Sequence, residues 1–299
     1  MSIPKPPTDD GRIVEQQRPS KKNAFFSRRF KQAFTISRIL ASTTVVVLIF
    51  IMLTAQWISP KSPLAQDISS RFAPVGTPGF WLGTDDFGRD LLSRSIHGIQ
   101  AELIVALSAT VIALVLGTII GLLSGYFRGF AETIGMRGID VILAFPPIII
   151  ALLAVALYGP GALTLIIVLG VLFIPQFARI SYGQTLTISK KEFVEAAEIF
   201  GAKPFVRLFR VILPNIAAPI FVQFSLTMAA AVLLESGLSF LGLGIVPPDP
   251  SLGAMVADGQ RHMASEPAVM LVPALLLSLI ILAFSLLGDA LRDWLDPRK

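Results

Sequence analysis

The side chains most often used in catalysis and metal binding are sparse in this chain. It has two histidines, His97 and His262, and no cysteine. These two lie far apart in the sequence, so the close ligand spacing of a metal site is missing. No nucleophile is paired with a base, and no GxxxxGK[ST] segment is present to hold a nucleotide phosphate. The sequence therefore predicts no catalytic residues, no metal, no cofactor and no ATPase activity of its own.

The most regular polar pattern lies in the segment 179–215. Ser189-Lys190-Lys191-Glu192 matches a capping box, with Ser189 as N-cap and Glu192 at position N3. Gly201 suits the position just past the end of the helix. The predicted helix has one apolar stripe, made by Phe193, Ala196, Ala197 and Phe200. Its other face carries Lys191, Glu195 and Glu198.

A second short helix is predicted to begin at Pro204 and to end at Pro214. Its apolar stripe is made by Phe205, Leu208, Phe209 and Ile212, with Arg207 and Arg210 on the opposite face. Helices this short are marginal alone and need a surface to pack on. The periodicity fits packing on the chain's own bundle or on lipid as well as packing on another protein.

The composition of the 299-residue chain is that of a membrane protein. Hydrophobic residues make up 54% and charged residues only 15%, against about 25% charged in soluble domains. The mean hydropathy is +0.72. These values exclude an ordinary water-soluble enzyme, a disordered chain and a disulfide-stapled secreted module.

Long uncharged runs predict six membrane-spanning helices. The third run, 141–178, is long enough for two spans and contains the turn signal Tyr158-Gly159-Pro160-Gly161. The predicted spans are residues 39–58, 103–123, 141–157, 163–178, 216–234 and 269–287. Another uncharged stretch, 236–248, is too short to span and is predicted to be a loop or a re-entrant segment.

The distribution of positive charge predicts the topology. With these spans, 20 of the 25 Lys and Arg residues fall on the side of the two termini and five on the other, which places both termini in the cytoplasm. The sequence thus predicts an all-α integral membrane protein. It has a largely disordered basic tail (1–38), a first span with an extracytoplasmic loop (39–102), and a five-helix core (103–299) that carries the cytoplasmic loop 179–215.

One motif in that loop identifies a family. Glu195-Ala196-Ala197, three residues, Gly201, nine residues and Val211-Ile212-Leu213-Pro214 resemble the EAA loop of ABC-importer permeases, with Val211 where the family has Ile. The resemblance implies a type I ABC importer-like permease fold in which the first short helix is a coupling helix that docks on an ATP-binding subunit. The residues it implicates in coupling are Glu195, Ala196, Ala197, Gly201, Leu213 and Pro214. The alternative for Glu195 is a solvated surface residue.

Four further stretches resemble the C-type inner-membrane subunit of the dipeptide/oligopeptide/nickel transport family. They are residues 82–94 (LGTDxxGRDxxSR), 235–244 (ESxLSFLGLG), 247–253 (PPxPSWG) and 288–298 (GDxLRDxLDPR). Leu252 stands where the third motif has Trp, which puts in doubt any partner contact made there.

The resemblance implies a subunit that works in an assembly. Its expected partners are two ATP-binding subunits, a second homologous permease and an extracytoplasmic solute-binding protein, in the inner membrane of a bacterium or archaeon. Di- or oligopeptides are the expected cargo, with nickel or another small solute as the alternative. An ATP-independent channel or secondary transporter is a weaker alternative, because no acidic residue is predicted at the middle of a span. The sequence leaves the substrate-binding residues unknown.

Several smaller patterns have two interpretations each. Asp85, Asp86, Arg89, Asp90 and Arg94 are expected to form an ion-pair network that folds the first loop, with contact to a binding protein as the alternative. Gly117, Gly121 and Gly125 predict close helix packing, within the chain or with a second permease. Pro146, Pro147 and Pro175 predict kinks. Polar span residues either line a pathway or hydrogen-bond between helices; these are Gln176, Gln223, Ser225 and Thr227.

Overall fold

The regular structure of the described residues, 21–295, is helical throughout the computed structural model, and side chains are described from Arg38 onward. The helices are α1 (Lys21–Ile58), α2 (Leu91–Phe127), α3 (Gly129–Leu143), α4 (Pro147–Tyr158), α5 (Ala162–Ile188), α6 (Glu192–Ile199), α7 (Pro204–Val206), α8 (Leu213–Phe240), α9 (Leu252–Gln260) and α10 (Pro267–Trp294). We call the end of the bundle that carries α6 the α6 side. Most of the predicted disordered tail, residues 1–20, lies outside the described part, and α1 begins at Lys21.

Five of these helical segments are long and apolar enough to cross a membrane. They are Arg38–Ile58, Leu91–Phe127, Ala162–Ile188, Pro204–Phe240 and Pro267–Trp294. Helices α3 and α4 form a pair bent by 84° and make a sixth span if they are counted together. The predicted number of spans therefore holds only with that pair, since α4 alone has 12 residues and measures about 18 Å.

The predicted third span, 141–157, is interrupted where the sequence predicts a kink, at Pro146 and Pro147. Helix α3 ends at Leu143 and α4 begins at Pro147, so a break falls inside the predicted span. The cause is the Pro146-Pro147 pair, since proline lacks an N–H and pushes the preceding residue out of the helical region. Pro146 is extended, with ψ of 130°. The predicted turn after Tyr158 is confirmed, with Gly159 at φ 83° and Gly161 at φ 147°.

Helices α2 and α5 form the centre of the bundle, because glycines let their backbones approach closely. A Cβ added at Gly117 would lie 2.6 Å from the carbonyl oxygen of Ile174, and one at Gly121 would collide with the carbonyl oxygen of Ala178. Gly125 packs on Thr185 in the same way. The glycine repeat therefore packs α2 against α5 within this chain. Of the two interpretations, packing within the chain is supported over contact with a second permease.

Helix α1 lies at the edge of the bundle. In its most apolar window 22% of the residues are buried, against 50% in α5. Ala41, Val45, Leu48 and Ala55 form its buried stripe, while Leu53 and Trp57 are exposed. Large apolar side chains around the outside of a bundle are what contact with lipid requires.

The loop before α2 is held by buried ion pairs. Asp85 Oδ2 lies 2.6 Å from Arg89 Nε and 3.3 Å from Arg94 Nε, and all three residues are buried. Asp86 lies 3.8 Å from an Arg89 nitrogen. Asp90 instead caps α2 by accepting a hydrogen bond from the backbone N–H of Ser93. The predicted network is confirmed for four of its residues, and Asp90 serves as a helix cap.

Candidate functional site

Helix α6 is set off from the bundle by a tight connection after α5. Helix α5 continues to Ile188, well past the predicted span end at residue 178, and Ser189 closes it by donating its backbone N–H to Thr185. Helix α6 begins at Glu192 after Lys191, without a side-chain cap. The predicted capping box is therefore wrong, because Ser189 is the C-cap of the longer α5.

The end of α6 follows the prediction at Gly201. This glycine has φ 79°, which favours glycine because a Cβ is strained there. The N–H of Ala202 bonds to the carbonyl of Ala197 at 3.0 Å, and the N–H of Gly201 bonds to that of Glu198 at 2.9 Å. This pair of hydrogen bonds is the Schellman motif, which turns the chain sharply out of the helix.

The apolar side chains of α6 are largely uncovered. Val194 is its one buried residue, whereas Phe200 is 88% and Phe193 45% exposed. Ile199 at the end of the helix is also exposed. The predicted stripe of Phe193, Ala196, Ala197 and Phe200 is therefore not a face packed on the chain's own bundle. A cluster of exposed large apolar side chains on one small element is typical of a protein contact.

The segment after Gly201 is one helical unit with the following span. It begins at Pro204 as predicted, but Pro214 does not end it: α7 continues through a π-helical turn, Arg207–Ile212, into α8. The N–H of Leu213 bonds to the carbonyl of Leu208, five residues back. This wider turn accommodates Pro214, whose missing N–H would break a regular ladder.

The predicted faces of this second segment are only partly right. Leu208 and Ile212 are buried as expected, but Phe205 and Phe209 are exposed and stack on each other with ring centroids 6.1 Å apart. Arg207, expected on the polar face, is buried. The π-helical turn changes the angular period, so a stripe drawn with 3.6 residues per turn is misplaced beyond it.

Arg207 anchors α6 to the bundle. Its guanidinium forms an ion pair with Glu198, and it lies 5.6 Å from the ring centroid of Tyr126 at the end of α2. A cavity of about 540 Å³ opens beside this contact and is lined by Tyr126, Arg128, Glu195, Glu198 and Arg207, among others. Sequence reasoning missed Arg207 and Tyr126; opposite charges flanking the Gly201 turn were the available signal.

The predicted coupling residues fall into two groups. Glu195, Ala196, Ala197 and Gly201 lie on α6 and at its end, with Glu195 exposed. Leu213 and Pro214 lie at the root of α8 instead, where Leu213 faces an apolar groove that includes Phe209 and Ile220. The second group therefore shapes the start of the span, while the first forms the exposed helix.

The polar residues of the spans hydrogen-bond between helices. Gln223 on α8 donates to Gln176 Oε1 on α5 at 2.8 Å, and Thr227 donates to the same oxygen at 3.2 Å. Ser225 donates to the carbonyl of Phe284 on α10 at 2.6 Å. Gln176 is nevertheless exposed. Gln223 also lines a cavity of about 460 Å³ that extends toward Gln184 and Arg292 on the α6 side.

Comparison with known proteins places the chain in one family. Residues 117–299 match the family described as binding-protein-dependent transport system inner membrane component. The chain is 37% identical over 273 residues to the glutathione transport system permease protein GsiD of Pectobacterium atrosepticum, which covers 91% of this chain and 90% of that protein. It is 36% identical over 259 residues to the di/tripeptide transport system permease protein DppC of Pseudomonas aeruginosa, with 85% and 86% covered.

A solved structure supports the fold. A chain of the MetNI methionine ABC transporter, in an inward facing conformation, superposes with a TM-score of 0.58 at 17% identity and covers 69% of this chain and 98% of its own. At this identity the likeness concerns the fold alone, and it is the type I importer permease fold that the EAA motif predicts. The chain therefore belongs to the family of binding-protein-dependent transport system inner membrane components, as a permease of an ABC importer.

Proposed function

We propose that α6 of this permease docks on an ATP-binding subunit and transmits its movement to the membrane helices. The observation that carries this proposal is the exposed apolar surface of α6, made by Phe193, Ile199 and Phe200. Glu195, exposed on the same helix, supplies a charge-assisted hydrogen bond to the partner. ATP hydrolysis takes place in the partner subunits, and this chain converts their motion into transport.

The described contacts provide a route for that motion. The Glu198–Arg207 ion pair ties α6 to the helical unit Pro204–Phe240, so a push on α6 reaches α8 directly. Arg207 also contacts Tyr126, which ends α2, and α2 packs closely on α5. A displacement of α6 is therefore shared by the three central spans, which favours a concerted change between outward-open and inward-open states.

Di- or oligopeptides are the proposed cargo. The support comes from the relatives, one named for glutathione and one for di- and tripeptides. The α5–α8 face that carries Gln176 and Gln223 is the proposed pathway wall, since an exposed amide at mid-span is costly against lipid. Neutral amides can donate to and accept from any peptide bond, which suits a pathway that passes many side chains.

The proposed assembly contains two ATP-binding subunits, a second permease and an extracytoplasmic solute-binding protein in the inner membrane. The α6 side is proposed to face the cytoplasm, because most Lys and Arg residues lie on that side of the predicted topology. An ion pair between Arg38 and Asp293 shows that the start of the first span and the end of α10 lie on the same side. Both termini are therefore proposed to be cytoplasmic.

ATP-driven uptake in proteoliposomes tests this function. The chain is co-expressed with the neighbouring subunits as wild type, as Glu195→Arg and as Gly201→Trp, with Asp249→Arg as a charge-reversal control at an exposed residue away from α6. We expect both loop variants to lose uptake and ATPase pull-down while the two permeases still assemble. Undiminished uptake in both variants would overturn the proposal that α6 couples this permease to the ATP-binding subunits.

A further inference from the structure

Two acidic residues are buried together inside the bundle, on the side opposite α6. Glu102 lies on α2 and Glu235 on α8, and both are wholly buried. The proposed coupling and cargo pathway use neither of them. In the sequence, each of the two residues only marks the end of an uncharged run. They are far apart along the chain, and folding brings them together.

One oxygen of each carboxyl group has no hydrogen-bond partner among the described residues. Ser236 Oγ donates to Glu102 Oε1 at 2.8 Å, and Ser239 Oγ donates to Glu235 Oε1 at 2.7 Å. The two carboxyl groups lie within hydrogen-bonding reach of each other. Both Oε2 atoms are buried, and neither receives a hydrogen bond from the part of the chain that the structure describes.

The charged residues nearby do not neutralise either carboxylate. Within residues 38–295, no Lys, Arg or His nitrogen lies within 4.0 Å of either carboxylate. The stretches 39–60, 141–178 and 267–288, which include α4 and parts of α1, α5 and α10, are uncharged. The charged residues around α9 and the start of α2 share a separate cavity; they are Asp85, Asp86, Arg89, Arg94, Asp258 and His262.

Two adjacent carboxylates without a cation repel each other, and burial makes that repulsion severe. A hydrogen bond between two carboxyl groups exists only when one of them carries a proton. We propose that Glu102 and Glu235 form a proton-binding site that holds at least one proton and hydrogen-bonds α2 to α8. The proton is shared by the carboxyl pair and removes one of the two buried charges.

The start of α9 covers this site. Leu252 packs on Gly98, where an added Cβ would lie 3.0 Å from its Cδ2, and a Cβ at Gly253 would collide with the backbone of Ser236. The hydroxyl of Ser251 is buried at the same junction without a partner among the described residues. Withdrawal of α9 would admit water to the carboxyl pair and release the proton. Proton binding therefore stabilises the junction of α2, α8 and α9.

Infrared difference spectroscopy of the purified assembly tests the proton directly, without any transport measurement. Spectra are recorded at neutral pH for wild type, Glu102→Gln, Glu235→Gln and Asp249→Asn, the last being an exposed acid that serves as control. We expect the carboxylic-acid C=O band of wild type to be lost in one or both Gln variants and kept in the control. If wild type minus each Gln variant shows only carboxylate bands, the proposal is wrong.

Thermal unfolding across pH gives a second, independent test. The folded site binds a proton that the unfolded chain releases above the ordinary carboxyl range, so the contribution of this site to the Tm should fall as the pH rises above about 5, by roughly 3 °C per pH unit. Glu235→Gln keeps a donor without a titrating proton, so this slope should shrink. An unchanged slope would contradict the proposal. Should the Gln variants fail to assemble, absence of the acid band from wild type itself would also overturn it.

Discussion

The guanidinium of Arg207 forms an ion pair with the carboxylate of Glu198 across the Gly201 turn, and this contact joins α6 to the root of α8. Arg207 is buried while the Glu198 side chain is 64% exposed. The pair is therefore accessible from the side on which a partner would dock, and its inner half is fixed by Tyr126. A connection of this kind transmits movement more than it contributes stability.

Replacing Glu198 by Gln should uncouple the two helices. Only the Glu198 half of the pair is exposed, but Gln keeps an amide oxygen that can accept a hydrogen bond from the buried Arg207 guanidinium, so the fold should survive. Uptake per ATP hydrolysed should fall about fivefold, the equivalent of about 1 kcal/mol, with unchanged ATPase pull-down. Glu192→Gln, at the exposed start of the same helix, is the matched control. Equal losses in both variants would show that the ion pair has no special part in coupling.

Gly121→Ala should destabilise the bundle. The added Cβ collides with the carbonyl oxygen of Ala178, which is backbone and cannot move aside. We expect a cost of about 1–3 kcal/mol, measured as thermal unfolding in detergent. Gly138→Ala on α3 meets nothing within 4 Å and should stabilise slightly, because alanine favours the helix. Equal effects at the two glycines would contradict the close approach of α2 and α5.

Gln223→Leu should slow transport without loss of assembly. The change removes a donor to Gln176 and Thr227 on the proposed pathway wall, with a cost of about 0.5–1.5 kcal/mol in polar contacts. Uptake of a dipeptide should fall about two- to tenfold. Ser225→Ala on the same helix is the control, because its hydroxyl faces α10. Wild-type uptake in Gln223→Leu would place the pathway elsewhere.

Two loop carboxylates should respond to pH with opposite signs. Burial, assisted by Asp85, raises the pKa of Asp86, so its ionised form costs stability above the ordinary carboxyl range. Hydrogen bonds from Ser69 and Ser70 lower the pKa of Asp67, so its ionised form adds stability there, and this is lost as the pH falls.

Thermal unfolding of the Asn variants checks these signs. At pH 7, Asp86→Asn should raise the Tm and Asp67→Asn should lower it. The Asp86 difference should shrink as the pH falls into the ordinary carboxyl range, whereas the Asp67 difference should shrink only at lower pH, because its pKa in the folded chain is lowered. A lower Tm for Asp86→Asn at pH 7 would mean that its contact with Arg89 outweighs burial.

Hydropathy and charge were sufficient to predict most of the membrane architecture. Uncharged runs predicted the positions of the spans. Gly201 predicted the end of α6, because the backbone conformation that ends the helix is a property of the glycine itself and does not depend on tertiary packing. The kink predicted at Pro146 and Pro147 is confirmed, but hydropathy alone does not show that it is an 84° bend that divides the span into two short helices. Ser189 was misassigned because the length of α5 depends on packing against α2. Val194 and Arg207 are buried, and Glu102 lies beside Glu235. These features depend on tertiary packing, which the hydrophobic periodicity of a short segment cannot show.

The helix that begins at Pro204 runs to Phe240 and comprises 37 residues. It measures about 55 Å, whereas the hydrocarbon layer is about 30 Å thick. The helix is therefore about 25 Å longer than the hydrocarbon layer is thick. A tilt of about 5° about the far end would sweep the root of the helix through about 5 Å, roughly one helical pitch. Under the proposed coupling, the distance that the docked partner travels would thus be set by this single helix rather than by the sum of many small adjustments.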